Sequence, residues 1–201
     1  GLGDVYKRQL KQINTKLEIL NDEFQHVHQY NPIEHIKSRI KTSESIVKKL
    51  RRHGYESTIE NMVKYVNDIA GIRVICSFTS DIYRIAEMIR LQNDIHVIAV
   101  KDYIRLPKAS GYKSYHMLVT VPVFLSDRTV DVKVEIQIRT VAMDFWASLE
   151  HKINYKFEGN APEHVKRELI ECAGMVSALD NRMQELNEEI KALSKEDTDG
   201  A

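Results

Sequence analysis

From Val130 to Arg139 the chain alternates without a slip. Val130, Val132, Val134, Ile136 and Ile138 fall on one side, Asp131, Lys133, Glu135, Gln137 and Arg139 on the other. Period two with β-branched apolar residues predicts a strand with one face on a core. Its polar face then looks onto solvent or a cleft, and both readings suit an isolated ladder of charges. Upstream, Leu10, Ile13, Leu17, Leu20, Phe24 and Val27 form a helical stripe that Asn31-Pro32 breaks. Pro32 is placed to open a second helix, predicted to run to about Arg52 with Ile36, Ile40, Val47 and Leu50 inward. A short helical segment through Met62 to Tyr65 follows, then a buried strand within Ile72 to Phe78. Next come an amphipathic helix carrying Ile82, Ile85, Ala86 and Ile89, and a strand from Ile95 to Val100.

Lys101 to His116 is a loop by composition, with four cations and three tyrosines around Pro107 and Gly111. Met117 to Phe124 returns as a strand. After Arg139 the period becomes helical, with Ala142, Phe145, Trp146, Leu149 and Ile153 on one face. Gly159-Asn160-Ala161-Pro162 breaks the chain again. A long helix then spaces Val165, Leu169, Cys172, Val176, Leu179, Met183, Leu186, Ile190 and Leu193 by fours and threes. That seam suits either the first helix or another subunit. The expected order is α, α, β, α, β, β, β, α, α, an α/β (α+β) fold with a mixed sheet of four to five strands flanked by helices.

Composition narrows the class. With 201 residues, 43% of them hydrophobic, the chain can bury one core and is expected to form one domain. Basic and acidic residues balance at 29 each, so no global field draws in nucleic acid or membrane. Locally the balance fails: seven cations stand between Lys37 and Arg52 against Glu44 alone. Cys76 and Cys172 lie far apart in apolar patterns and read as reduced residues, pointing to a cytoplasmic protein. No apolar run approaches membrane-spanning length. Gly1 to Gln9 reads as the translation of a sequencing adaptor, so the expected organisation starts at residue 10. It comprises an N-terminal helix over 10–31, a catalytic core over 32–160, a C-terminal helix over 161–194 and an acidic tail over 195–201.

Two carboxylates stand out. Asp68 immediately precedes one strand, and Glu135 lies midway along the polar face of another. If those strands are neighbours, the pair could hold one Mg²⁺, which takes one or two carboxylates plus substrate phosphates. Arg39, Lys41, Lys49, Arg52 and Arg73 could neutralise a triphosphate, and the tyrosine-rich loop could stack a base. Together these are parts of phosphoryl-type transfer, where catalysis is mostly positioning and charge neutralisation.

In order along the chain, these residues resemble the small alarmone synthetases, synthetase-only relatives of the stringent-response enzymes. The resemblance is carried by Pro32-Ile-Glu-His-Ile-Lys-Ser-Arg39-Ile-Lys41, Asp68-Ile-Ala-Gly-Ile-Arg73 and Ser110-Gly-Tyr112-Lys-Ser-Tyr-His116. Val134-Glu135-Ile-Gln137-Ile-Arg139-Thr and Phe145-Trp-Ala-Ser-Leu-Glu150-His151 complete it. It implies a nucleotidyltransferase-like fold that moves the β,γ-pyrophosphate of ATP to the 3′-hydroxyl of GDP or GTP. It further implies that Arg39 and Arg73 sandwich adenine while Lys41, Lys49 and Arg52 hold the ATP phosphates. Asp68 and Glu135 would share Mg²⁺, with Glu135 as base. Tyr112 would stack on guanine, with Lys108, His116, Gln137 and Glu150 about the acceptor. A homotetramer is expected on the same ground. No histidine is followed by Asp, so the metal site of alarmone hydrolysis is not expected. Two rivals remain open here: pyrophosphate transfer onto the 3′ end of tRNA, and a non-catalytic oligomer binding nucleotide or single-stranded RNA.

Overall fold

The computed structural model describes residues 2–28, 30–124 and 126–199. Five strands form one mixed sheet: β1 (Ile33–Ile40), β2 (Ala70–Cys76), β3 (His96–Asp102), β4 (Tyr115–Phe124) and β5 (Thr129–Thr140). Their order is β1-β2-β5-β4-β3; β2 and β5 at the centre run parallel, and the other neighbours antiparallel. Around the sheet lie α1 (Leu2–His28), α2 (Ser43–Arg52), α3 (Ile59–Tyr65), α4 (Thr79–Arg90), α5 (Val141–Lys156) and α6 (Glu163–Asp199). Thus α1 continues through residues 2–9, and α6 extends past the expected end at residue 194.

The alternating strand is the spine of the core. Val132, Val134, Ile136 and Ile138 are all buried, together with Ile72 and Val74 of β2 and Met117 and Val119 of β4. Leu10, Ile13 and Leu17 of α1, and Ile82, Ile85 and Ile89 of α4, cover the same face. Each fully buried Ile or Leu contributes roughly 1.5–3 kcal/mol, so this side holds the fold together. The opposite face carries mostly polar residues.

The helix expected from Pro32 to Arg52 is corrected: its first half is edge strand β1, and only Ser43–Arg52 is helical. The pairing with β2 slips between Ile33 and His35. Such an irregularity shifts the alternation by one residue, so Ile33, Ile36 and Ile40 can lean inward at spacings that imitate a helix. Lys37 and Arg39 therefore project from a strand of the sheet and not from a helix. Thr42 starts α2, accepting from the Ser45 amide at 3.3 Å, and Ile46 and Leu50 anchor it.

The faces of the last two helices also differ from expectation. In α5 the buried residues are Met143, Trp146 and Ala147, while Phe145 is 61% exposed. The direction is set by Trp146, whose indole N–H donates to the Leu169 carbonyl of α6 at 2.9 Å. α6 packs mainly on α5 and α4. Its seam from Leu179 through Met183, Leu186 and Ile190 to Leu193 stays exposed, so within the chain it is not matched to α1.

Candidate active site on the polar face of the sheet

Register assembles the site. On the face opposite the core, one rung carries Arg39, Gly71, Glu135 and Leu118, and the next carries Lys37, Arg73, Gln137 and His116. Alternation makes all of these side chains project the same way. Between β1, β2 and β5 they line a cavity of about 270 Å³. Gly71 leaves its floor bare; an added Cβ would lie 3.6 Å from Arg39 Cγ. A larger hollow of about 840 Å³ lies between α1 and the end of β4, lined by residues such as Ile13, Ile19, Val121 and Phe124. Its charged groups are Arg8, Lys11, Glu23 and a Lys16–Asp94 ion pair among apolar side chains. The smaller cavity instead gathers two guanidiniums and Glu135 within two adjacent rungs, so the chemistry is assigned to the sheet face.

On one side Asp68 is the meeting point. Lys41, just after β1, donates to its Oδ2 at 2.6 Å, and Lys49 of α2 donates to Oδ1 at 2.8 Å. Burial opposes ionisation of Asp68, yet the two ammonium groups outweigh it and hold the carboxyl below the ordinary range. Its charge is felt at Glu135, so the two carboxylates are electrostatically coupled. Among the described residues no group of three or more His, Cys, Asp or Glu could enclose a metal. A pair of carboxylates fits Mg²⁺ completed by phosphate oxygens better than a self-contained metal centre. Arg39 and Arg52 are exposed. Arg73 approaches Asp144 of α5 at 3.5 Å, and its Nε is buried without an acceptor.

On the other side the groups interlock. The loop is closed by the Lys108 amide donating to the Tyr112 carbonyl at 3.1 Å and the Gly111 amide to the Lys108 carbonyl at 2.8 Å. Gly111 has φ +93°, and a Cβ there would sit 2.6 Å from Ala173 Cβ, so the loop tip lies directly on α6. Tyr112 joins Trp146, Ala147 and Ala173 in a small second core. Lys108 Nζ stands 4.8 Å from the Tyr103 ring and 4.9 Å from the Tyr112 ring.

Arg139 is 4% exposed. Its Nε donates to Ser114 Oγ at 3.2 Å, Nη1 to Asp144 at 3.1 Å, and Nη2 to the Tyr112 hydroxyl at 2.6 Å and Gln137 Oε1 at 2.9 Å. Because arginine only donates, the Tyr112 oxygen accepts from Arg139 and its proton is available to His116 Nε2, 2.8 Å away, when the imidazole is neutral. His116 is then the tautomer protonated on Nδ1, and that nitrogen lies 3.4 Å from Glu135 Oε1. His116 draws the Glu135 carboxyl below its ordinary range; burial opposes this, and Gln137 assists.

The fold therefore brings together Arg39, Lys41, Lys49, Asp68, Arg73, Lys108, Tyr112, His116, Glu135 and Gln137 along one face. Arg52 lies exposed in the last turn of α2 and joins none of these contacts. Glu150 accepts from Asn154 on its own helix at 2.5 Å and joins none of these contacts. Sequence reasoning missed Asp144 and the role of Arg139. The polar ladder displayed Arg139, but nothing in its alternation signalled burial.

A sequence profile described as "Region found in RelA / SpoT proteins" matches residues 38–160. Over 186 residues the chain is 48% identical to GTP pyrophosphokinase YwaC of Bacillus subtilis, covering 92% of this chain and 89% of the relative. The crystal structure of small alarmone synthetase 2 from Bacillus subtilis superposes with TM-score 0.84 at 46% identity, covering 92% of this chain and 95% of that one. Small alarmone synthetase 1 of the same organism, bound to its product pppGpp, gives TM-score 0.85 at 37% identity, covering 93% and 95%.

Proposed function

Because the chain belongs to the RelA/SpoT family and, within it, to the small alarmone synthetases, we propose for it the reaction of a GTP pyrophosphokinase. The β,γ-pyrophosphate of ATP passes to the 3′-hydroxyl of GDP or GTP, forming (p)ppGpp and releasing AMP. The observation that carries this reading is the two-rung convergence of Arg39, Arg73, Glu135, Gln137 and His116 beside Asp68.

The physical demands of the reaction match the two sides of the face. Bringing an anionic acceptor against a polyanionic donor requires charge neutralisation before geometry can help. Arg39 and Arg73 flank the cavity that would receive adenine, with Lys41, Lys49 and Arg52 on the phosphates. The hold of Lys41 and Lys49 on Asp68 is exchangeable, since lysine is a point charge on a flexible stem. Asp68 and Glu135 would hold Mg²⁺, which when bound supplies polarisation of the phosphoryl oxygens. Tyr112 stacks on guanine, and Lys108, His116 and Gln137 surround the acceptor. Glu135, ionised on a rigid strand, takes the proton of the ribose hydroxyl. Glu150, which accepts from Asn154 on its own helix, stays an expectation of the resemblance for the acceptor side.

No helix among the described residues is long and apolar enough to cross a membrane, which accords with work in the cytoplasm, where ATP and GTP are available. The exposed seam of α6 supports assembly through helices, expected as a homotetramer. Synthesis without hydrolysis is expected. Labelled ATP incubated separately with GDP, GTP and tRNA tests the reading. Label on the guanine nucleotide, with AMP released, is the expected result. Label on tRNA, or none transferred, overturns it.

A further inference from the structure

We infer that Arg139 is the positioning residue of the acceptor half, orienting Tyr112, Gln137 and, through them, the carboxylate of Glu135. The inference takes only the identity of the acceptor nucleotide from the reading above; the positioning itself follows from the contacts.

A buried guanidinium is costly unless its donors are met. Asp144 alone would serve a purely structural pairing of β5 with α5, yet Asp144 Oδ1 also faces Arg73 at 3.5 Å. The remaining donors of Arg139 go to groups that line the cleft, and each contact fixes an orientation. The Tyr112 hydroxyl accepts from Arg139 and donates to His116, so it is consumed within the protein. Tyr112 can then meet a ligand only through its ring, which Arg139 also backs at 5.1 Å. Gln137 turns its Oε1 toward Arg139, which leaves its NH₂ for Glu135 and the cleft. Two oriented chains thus start at Arg139 and end at Glu135, one through Tyr112 and His116 and the other through Gln137. Only the planar fork of arginine reaches four acceptors at once; lysine keeps the charge and loses the geometry. Neither chain includes Lys41, Lys49, Arg39 or Arg73. Arg73 meets Arg139 only through the shared Asp144, which a lysine at 139 still neutralises, so donor binding should be largely spared.

The test compares Arg139→Lys, Tyr112→Phe and the double variant, reading kcat and KM for GDP beside the Kd of a non-hydrolysable ATP analogue. The expected result is a loss of roughly tenfold or more in kcat/KM for GDP in each single variant. The double variant should lose clearly less than the product of the two, because the second substitution removes a bond already broken. Affinity for the ATP analogue should stay within about twofold. Losses that multiply, or ATP-analogue affinity falling in step with GDP, overturn the inference in favour of a general structural role. Should Arg139→Lys fail to fold, Tyr112→Phe decides alone. Loss for GDP with ATP-analogue binding intact supports the inference, and an unchanged kcat/KM overturns it. If the wild-type protein transfers no pyrophosphate, the proposed function fails. GDP binding to the same variants by calorimetry then still reads the positioning role: weaker binding with the double variant no worse than the singles supports it, and unchanged binding overturns it.

Discussion

On the donor side of the cleft Arg39 is exposed and Lys41 and Lys49 lean on a shared carboxylate, Asp68. On the acceptor side Arg139 is buried, and all three of its nitrogens have acceptors. Lysine is a point charge on a flexible stem, so the donor cations can exchange one anion for another without losing a fixed geometry. A triphosphate can be met by several placements of such cations. A purine ring and a ribose hydroxyl need a plane and correctly aimed hydrogen bonds, and these must exist before the ligand arrives. In the proposed reaction the donor half would capture charge, and the acceptor half would be set in advance.

Four measurements break or sharpen that contrast. The largest effect belongs to Glu135, which sits where the halves meet. Glu135→Gln should lower single-turnover transfer roughly 10²–10⁴-fold, with ATP-analogue affinity nearly unchanged. Turnover close to wild type would assign the base elsewhere. Next, replacing Lys41 and Lys49 together by Met should weaken ATP binding by about tenfold or more and leave GDP binding almost untouched. Raising ionic strength should separate the wild-type affinities in the same sense. An equal loss for both nucleotides would erase the distinction between the halves.

Smaller effects probe what supports the acceptor loop. Gly111→Ala forces a Cβ against Ala173 in a left-handed conformation, costing on the order of 1–3 kcal/mol. That corresponds to a melting-temperature drop of roughly 2–10 °C, with KM for GDP rising and KM for ATP unchanged. The smallest effect is at Asp180 of α6, which accepts from the Thr140 hydroxyl at 2.7 Å. Burial raises its carboxyl above the ordinary range, and the Thr140 bond and Lys113 only partly oppose this. A raised native value means its stabilisation is present below the unfolded value and is lost as pH rises through the native one. Asp180→Asn keeps an acceptor for Thr140 and removes the charge. Its melting temperature should therefore gain on wild type as pH rises from about 4 to neutrality. A gap constant with pH would show that Asp180 titrates alike in both states.

The spine and the main acidic pair were legible in the chain. Perfect alternation marked β5 and put Glu135 opposite the core, and Ile82, Ile85 and Ile89 of α4 lie where their spacing put them. The residues of β1 carry a helical spacing because its pairing slips at one point, and a slip is a property of two strands. The face of α5 was misplaced for a similar reason: Phe145 and Trp146 are adjacent aromatics, and only the Leu169 carbonyl selects which turns inward.

Sequence alone determined which residues alternate along β5, where the chain breaks between its longer elements, and which groups can carry charge, because each of these is set by local chemistry. Tertiary structure decided that Arg39 is a strand residue beside Gly71, that Arg139 lies buried among four acceptors, and that Asp144 stands between two guanidiniums. Those outcomes depend on register between strands whose paired residues lie up to 64 positions apart, as Gly71 and Glu135 do, and no local propensity encodes a register.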